Sequence, residues 1–220
     1  MRITDIQLQK NQKNRVNVWI DGSFAFGMFE KDAAALKLQV DQELSEAQLS
    51  EIKQNIVLRN AKETALQLLS RRDFTKQMML EKLKQKQIPE DIAEQVIIFL
   101  KEYHYLDDEV YAKRYVKYYS ETRGKHRLRQ ELLQKGIDSE IIDRALKEVS
   151  QEEALYRIAE KKIMTLPPNY GKKDLQRLKN YFLRRGFSYD EINACFSRLT
   201  DEKEWSKSFC SIFGLLKEPL

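Results

Sequence analysis

Basic side chains recur at corresponding places along this sequence of 220 residues, and they are its most informative candidates for binding a partner. Guanidinium and ammonium groups bind phosphate and carboxylate oxygens. Two interpretations of them stay open: a solvated polar face, or a basic stripe on one side of the protein that contacts a nucleic acid or an acidic protein. The residues of this predicted stripe are Arg71, Arg72, Lys125, Arg127, Arg129, Lys135, Lys172, Lys173, Arg184 and Arg185.

Catalytic motifs are not found in the sequence. It has no G-x-S-x-G segment, no phosphate-binding loop and no dinucleotide fingerprint. His104 and His126 lie on different predicted helices, without an accompanying nucleophile. Asp107 and Asp108 have the side chains of metal ligands, but two acids at the start of a helix are the simpler interpretation. We therefore expect a protein that is not an enzyme and that needs no cofactor or metal.

The composition is that of a helical protein with a modest positive charge. Lys and Arg number 39 against 34 Asp and Glu, for a net charge of +5, and there are only 7 Gly and 4 Pro. The two cysteines, Cys195 and Cys210, lack the spacing of a zinc site or a disulfide framework. Free thiols and the absence of a long apolar run predict a cytoplasmic protein without a membrane span.

An internal repeat must position the basic side chains. Ile88, Ile137 and Phe187 recur 49 and then 50 residues apart, each next to a predicted helix end. Leu83, Leu132 and Phe182 precede these positions at a constant helical spacing, so we expect them in the core. Met79, Leu128 and Leu178 repeat one turn earlier, and Leu133 is also predicted to face the core. Each repeat therefore predicts three helices that need their neighbours for a complete core.

The first residues of the chain show a different pattern. Val16, Val18 and Ile20 alternate with polar residues, Asp21 and Gly22 form a hairpin signal, and Phe24, Phe26 and Met28 resume the alternation. An additional strand at about 3–9 completes a small antiparallel sheet. Ser45 and Gln48 then form a capping box at the start of a long helix.

These elements predict a mainly α protein in which tandem three-helix repeats form an elongated, curved array behind a small N-terminal antiparallel β module. The expected segments are the hairpin module with a short helix (1–44), the linking helix with the first repeat (45–104), the second repeat (105–150), the third repeat (151–200) and a C-terminal capping helix (201–220). We expect a monomer.

Several segments resemble the RecX family of bacterial recombination regulators. They are Leu69-Ser-Arg-Arg72 with Thr75, Tyr105-Leu-Asp-Asp-Glu109 with Tyr111, and Gly124-Lys-x-Arg-Leu-Arg-x-Glu-Leu132 with Lys135-Gly-Ile137. The resemblance covers roughly residues 60–200, and the segment from Gly124 is its most specific part. Gln87 departs from the pattern because the later repeats have Gly136 and Gly186 there, so we expect a turn of different shape in the first repeat.

The resemblance implies a modulator of the RecA recombinase. RecX proteins bind along the groove of the RecA–single-stranded DNA filament, and they inhibit its ATPase and strand exchange or promote its disassembly. The implied partner is the RecA nucleoprotein filament, with weak binding to DNA as a further expectation. The alternative is a DNA-binding repeat protein that acts without RecA, whose affinity for DNA falls steeply with salt.

Overall fold

A computed structural model of the chain describes residues 1–9, 12–167 and 170–199. The chain divides into two compact units, of which the first is Met1–Tyr111 and the second begins at Ala112. The first unit holds a three-stranded sheet and the first repeat, and the second holds most of the second repeat and the third. The fold is mainly helical with a small N-terminal antiparallel sheet, as the sequence predicts.

The helices follow the predicted three-helix pattern. In chain order they are α1 (Glu30–Ala35), α2 (Glu46–Ile52), α3 (Leu58–Leu69), α4 (Lys76–Gln85), α5 (Glu90–Glu102), α6 (Asp108–Tyr119), α7 (Lys125–Gln134), α8 (Ser139–Lys147), α9 (Glu152–Met164), α10 (Lys172–Arg184) and α11 (189–199). Helices α3 to α5 form the first repeat, α6 to α8 the second, and α9 to α11 the third. The predicted capping helix at 201–220, with Cys210, lies outside the described residues.

The sheet has the order β1 (Ile3–Gln9), β2 (Gln12–Ile20) and β3 (Ser23–Phe29). Asp21 and Gly22 both have positive φ, 48° and 80°, as a two-residue hairpin turn with the twist of the strands requires. Val16, Val18, Phe26 and Met28 are buried, which confirms the predicted inner face. The pairing register shifts between Val18 and Trp19. Because of this irregularity Phe24 does not continue the buried face and is 39% exposed.

The long helix after the sheet begins at the predicted capping box. The Gln48 N–H donates to Ser45 Oγ, and the Ser45 N–H donates to Gln48 Oε1. Residues Lys53–Val57 join α2 to α3 in π-helical turns, so the chain stays helical from 46 to 69. The wider turns insert one residue and rotate the buried face of α3 relative to that of α2.

The repeated core positions are buried as predicted. Met79, Leu83, Leu128, Leu132 and Phe182 all have a relative exposure of 0%. The expectation for Leu133 is wrong, since 45% of that residue is exposed. Adjacent residues on a helix are about 100° apart, so Leu133 projects to the side of the inner face that Leu132 occupies.

The turn after the middle helix is the same in all three repeats. Gln87, Gly136 and Gly186 each have positive φ, at 56°, 74° and 88°. The expectation that Gln87 shapes its turn differently is therefore wrong. Gln87 Oε1 accepts a hydrogen bond of 2.9 Å from Asn17 Nδ2 on β2. This bond ties the sheet to the first repeat and offsets the strain of a non-glycine residue in the left-handed conformation.

Among the described residues, none of the helices is long and apolar enough to cross a bilayer. Cys195 is buried, and burial raises the pKa of its thiol to about 11. The thiol therefore stays protonated near neutral pH and packs as a small apolar group.

Candidate functional site

Helix α7 carries the basic segment on which the sequence argument rests. Leu128 and Leu132 fix its inner face, so the basic residues on either side of Leu128 project sideways and outward. Its first turn is held by the turn between α10 and α11. The Gly124 N–H donates to the Arg185 carbonyl oxygen at 2.9 Å, and the His126 N–H donates to the Gly186 carbonyl oxygen at 3.1 Å. These bonds occupy donors that a helix N-terminus otherwise offers to an anion.

Two glycines allow the backbones of the second and third repeats to approach this closely. A Cβ at Gly124 would lie 2.1 Å from the backbone C and O of Gly186. A Cβ at Gly186 would lie 2.5 Å from Cβ and N of Arg127. No side chain larger than hydrogen fits at Gly124 without moving the backbone, so glycine there is a condition for the contact.

The contact brings basic residues of two repeats together. Residues 124–127 lie against 185–187, so Lys125 and Arg127 of α7 neighbour Arg184 and Arg185 at the end of α10. We call these four residues the junction cluster. The backbone contact thus brings two segments of the predicted stripe next to each other.

The members of the junction cluster differ in how they are held. Lys125 and Arg184 make no hydrogen bond or ion pair among the described residues, and Arg184 is exposed. Arg185 Nη1 donates to the Thr122 carbonyl oxygen at 3.0 Å, and its guanidinium lies 4.8 Å from the centre of the Tyr181 ring. Arg185 is therefore positioned by the protein, while Lys125 and Arg184 are available to a partner.

Glu131 is the acidic group that orders this surface. Arg127 Nε donates to Glu131 Oε1 at 2.9 Å, one helical turn further along α7. Arg123 Nη1 donates to Glu131 Oε2 at 2.6 Å, and the Tyr115 hydroxyl donates to the same oxygen at 3.0 Å. One carboxylate thus faces two guanidinium groups, so the surface keeps a net positive charge.

The local environment keeps this network in one charge state near neutral pH. Burial alone would raise the pKa of Glu131, but the hydrogen bonds from Arg127, Arg123 and Tyr115 outweigh it and lower that pKa. Burial, followed by the hydrogen bond to Glu131, raises the pKa of Tyr115 to about 12. Glu131 is therefore an anion and Tyr115 a neutral donor over the whole physiological range.

We expect Glu131→Gln to lower the free energy of unfolding by about 1–2 kcal/mol at pH 7, since it removes a charged acceptor from three donors. The pKa of Glu131 is lower in the folded state, so its contribution is present above the ordinary value near 4.5 and is lost as pH falls through the folded pKa. Urea unfolding at several pH values measures the difference. If the difference in the free energy of unfolding between parent and variant stayed constant as the pH fell through the folded pKa of Glu131, this assignment would be wrong.

The other predicted stripe residues lie elsewhere. Arg129 pairs with Asp143 of α8. Lys135 Nζ lies 5.4 Å from the centre of the Tyr115 ring. Lys172 and Lys173 are exposed at the first turn of α10, about 18 Å along the helix from Arg184. These residues do not belong to the junction cluster.

Arg71 and Arg72 belong to the first unit. Both are exposed, and the Arg72 guanidinium lies 4.4 Å from the centre of the Phe74 ring. Arg71 and Arg72 thus lie in a different unit from the junction cluster.

The acidic pair at the start of α6 caps helices. Asp107 Oδ1 accepts from the N–H groups of Glu109 and Val110, at 2.8 and 2.9 Å. Asp108 Oδ1 accepts from the Lys76 N–H, at the start of α4, at 2.9 Å. The helix-start interpretation is confirmed. Within the described parts of the chain, no three His, Cys, Asp or Glu side chains are grouped to hold a metal ion.

Fold and surface together define a class: a tandem three-helix repeat protein with an N-terminal sheet and cations where two repeats meet. Family models agree with this division along the chain. Residues 1–45 match the regulatory protein RecX N-terminal domain, and 61–100, 107–146 and 150–196 match the first, second and third three-helix domains of RecX.

Individual relatives extend over nearly the whole chain. "Regulatory protein RecX" of Clostridium perfringens is 30% identical over 207 residues, covering 92% of this chain and 98% of the relative. The protein of the same name from Clostridioides difficile is 31% identical over 209 residues, with the same two coverages. The chain belongs to the RecX family.

Solved structures show the same fold. A crystal structure of regulatory protein RecX aligns with a TM-score of 0.61 at 28% identity, over 89% of this chain and 98% of that one. RecX from Lactobacillus salivarius aligns with a TM-score of 0.62 at 28% identity, over 66% of this chain and 97% of that one.

Proposed function

We propose that this chain regulates the RecA recombinase, mainly as an inhibitor, by binding along the filament that RecA forms on single-stranded DNA. Family membership supports the partner. The observation that carries the mode of binding is the junction cluster, in which Lys125 and Arg184 have no acidic partner among the described residues. Such cations bind carboxylates on RecA or phosphates of the DNA.

A binding protein regulates an ATPase without catalytic groups of its own if it prefers one filament state. The shift between the active and inactive filament states is set by the difference in the free energy of binding to the two states. A difference of about 1.4 kcal/mol changes the ratio of the two states tenfold. Binding across neighbouring RecA subunits would in this way slow ATP turnover and strand exchange and change filament stability. The direction of the effect is set by which state the junction cluster fits.

Replacing Lys125 and Arg184 by Glu is expected to weaken binding to the RecA–DNA filament tenfold or more at low salt, and to weaken RecA inhibition in parallel. Glu is favoured at Lys125, the first residue of α7, and disfavoured at Arg184, the last residue of α10, so the two effects of the helix dipole on stability oppose each other. The loss should shrink as added salt screens the charges. Filament binding by fluorescence anisotropy and RecA ATPase rates measure both effects.

The matched control reverses two exposed lysines elsewhere in the second unit, Lys147→Glu with Lys161→Glu, for the same change in net charge. Full filament binding by the Lys125/Arg184 variant at low salt would refute the assignment of the surface. Equal loss of binding to bare DNA, with RecA inhibition retained, would favour the alternative of a DNA-binding repeat protein that acts without RecA.

A further inference from the structure

An open groove of about 570 Å³ lies in the first unit, between α4, α5 and the tip of the hairpin. Its apolar lining consists of Phe24, Leu80, Ile88 and Ala93, and its charged lining consists of Glu81, Glu90, Glu94 and Lys84. The groove is distinct from the junction cluster, which belongs to the second unit.

At the corresponding place in each later repeat, a polar bridge joins the middle helix to the last helix. In the second repeat, Arg129 on the middle helix pairs with Asp143 on the last helix. In the third repeat, Lys179 Nζ donates to Asn193 Oδ1 at 2.7 Å, again from the middle helix to the last. A cation on one helix and an oxygen acceptor on the other thus recur.

The first repeat keeps the acceptor and lacks the cation. At the repeat spacing of 49 residues, Leu80 takes the place of Arg129 and Glu94 takes the place of Asp143. Glu94 is exposed and makes no hydrogen bond or ion pair among the described residues. Its carboxylate has an apolar neighbour where the other repeats provide a positive group.

The acidic character of the groove is also specific to the first repeat. Glu81 and Glu90 correspond to Gln130 and Ser139 in the second repeat, so the additional carboxylates are not a general property of the fold. Three carboxylates line the groove against one ammonium group, Lys84. The exposed side chain of Phe24 adds an apolar wall, which the sheet supplies to the groove.

We propose that this groove binds a polypeptide segment of a partner protein in which Arg or Lys adjoins an apolar side chain. The cation of the segment pairs with Glu94 as Arg129 pairs with Asp143. The apolar side chain covers Phe24, Leu80 and Ile88. Charge-assisted hydrogen bonds to the carboxylates orient the segment, and the apolar lining excludes water from them. This surface does not depend on the proposed interaction with RecA.

The test uses the full chain and a short synthetic peptide in which arginine and leucine alternate, labelled for fluorescence anisotropy. We expect saturable binding that weakens with salt, together with NMR shift changes at Leu80, Ala93 and Glu94. A control peptide with serine in place of arginine should bind at least tenfold more weakly, because it brings no cation to Glu94. Equal binding of the two peptides would overturn the proposal.

Two variants localise the binding. Leu80→Arg should form within the chain the bridge that the second repeat has, and so remove peptide binding while the melting temperature stays constant or rises. Glu90→Gln with Glu94→Gln should weaken binding about tenfold. Glu63→Gln with Glu102→Gln removes the same charge from exposed sites of the first unit outside the groove, and should leave binding unchanged. If Leu80→Arg and the Glu90→Gln, Glu94→Gln variant both bind the peptide like the parent, the groove is not the docking site.

Discussion

Replacing Gly124 by alanine is expected to lower the free energy of unfolding of the second unit by about 3 kcal/mol or more. The new Cβ would overlap the backbone of Gly186, which cannot rotate away as a flexible side chain can. The two repeats must then separate, and the bonds from Gly124 to Arg185 and from His126 to Gly186 break with them.

Gly171→Ala is the matched control for this change. Gly171 precedes α10 as Gly124 precedes α7, but a Cβ there meets no atom within 4 Å. Its substitution should change the free energy of unfolding by less than about 1 kcal/mol. Chemical denaturation followed by circular dichroism compares the two variants. Similar stabilities would mean that the repeats do not meet through these glycines.

A second large effect is expected from Leu132→Ala, which should cost about 2–5 kcal/mol because Leu132 is completely buried in the repeated core position. Leu133→Ala removes the same atoms from the next residue, which is 45% exposed, and should cost less than about 0.5 kcal/mol. Thermal melts of the two variants distinguish the inner face from the outer one. Reversed or equal costs would show that the assignment of the helix face is wrong.

Local features of the fold were predictable because they depend on residues close in sequence. The left-handed turn at Gly136, the capping box at Ser45 and the hairpin at Asp21 each follow from a few neighbouring residues. The repeat also made core positions predictable, since a position that is buried in one repeat is buried in the others. The predictions for two residues were wrong. Leu133 lies at the edge of a helix face, and Phe24 follows an irregularity in strand pairing.

The surface was less predictable because its geometry depends on partners distant in sequence. The basic residues were recognisable, but nothing local places Arg129 opposite Asp143, which lies on the following helix. The contact of Gly124 with Gly186 joins two repeats and places residues 124–127 against 185–187. A sequence pattern thus identified the charges, and their pairing required the fold.

The capping of α4 by Asp108 has a consequence for how a protein of this type gains repeats. The first residue of α6 completes a helix of the preceding repeat, and Gln151, just before α9, likewise donates from Nε2 to the carbonyl oxygens of Ser120 and Arg123. Each repeat therefore overlaps the start of the next. A gene duplication that copied one repeat from its first helix to its last would leave these groups unmatched. A duplication with both ends inside the first helix of a repeat would copy these side chains together with their hydrogen-bond partners.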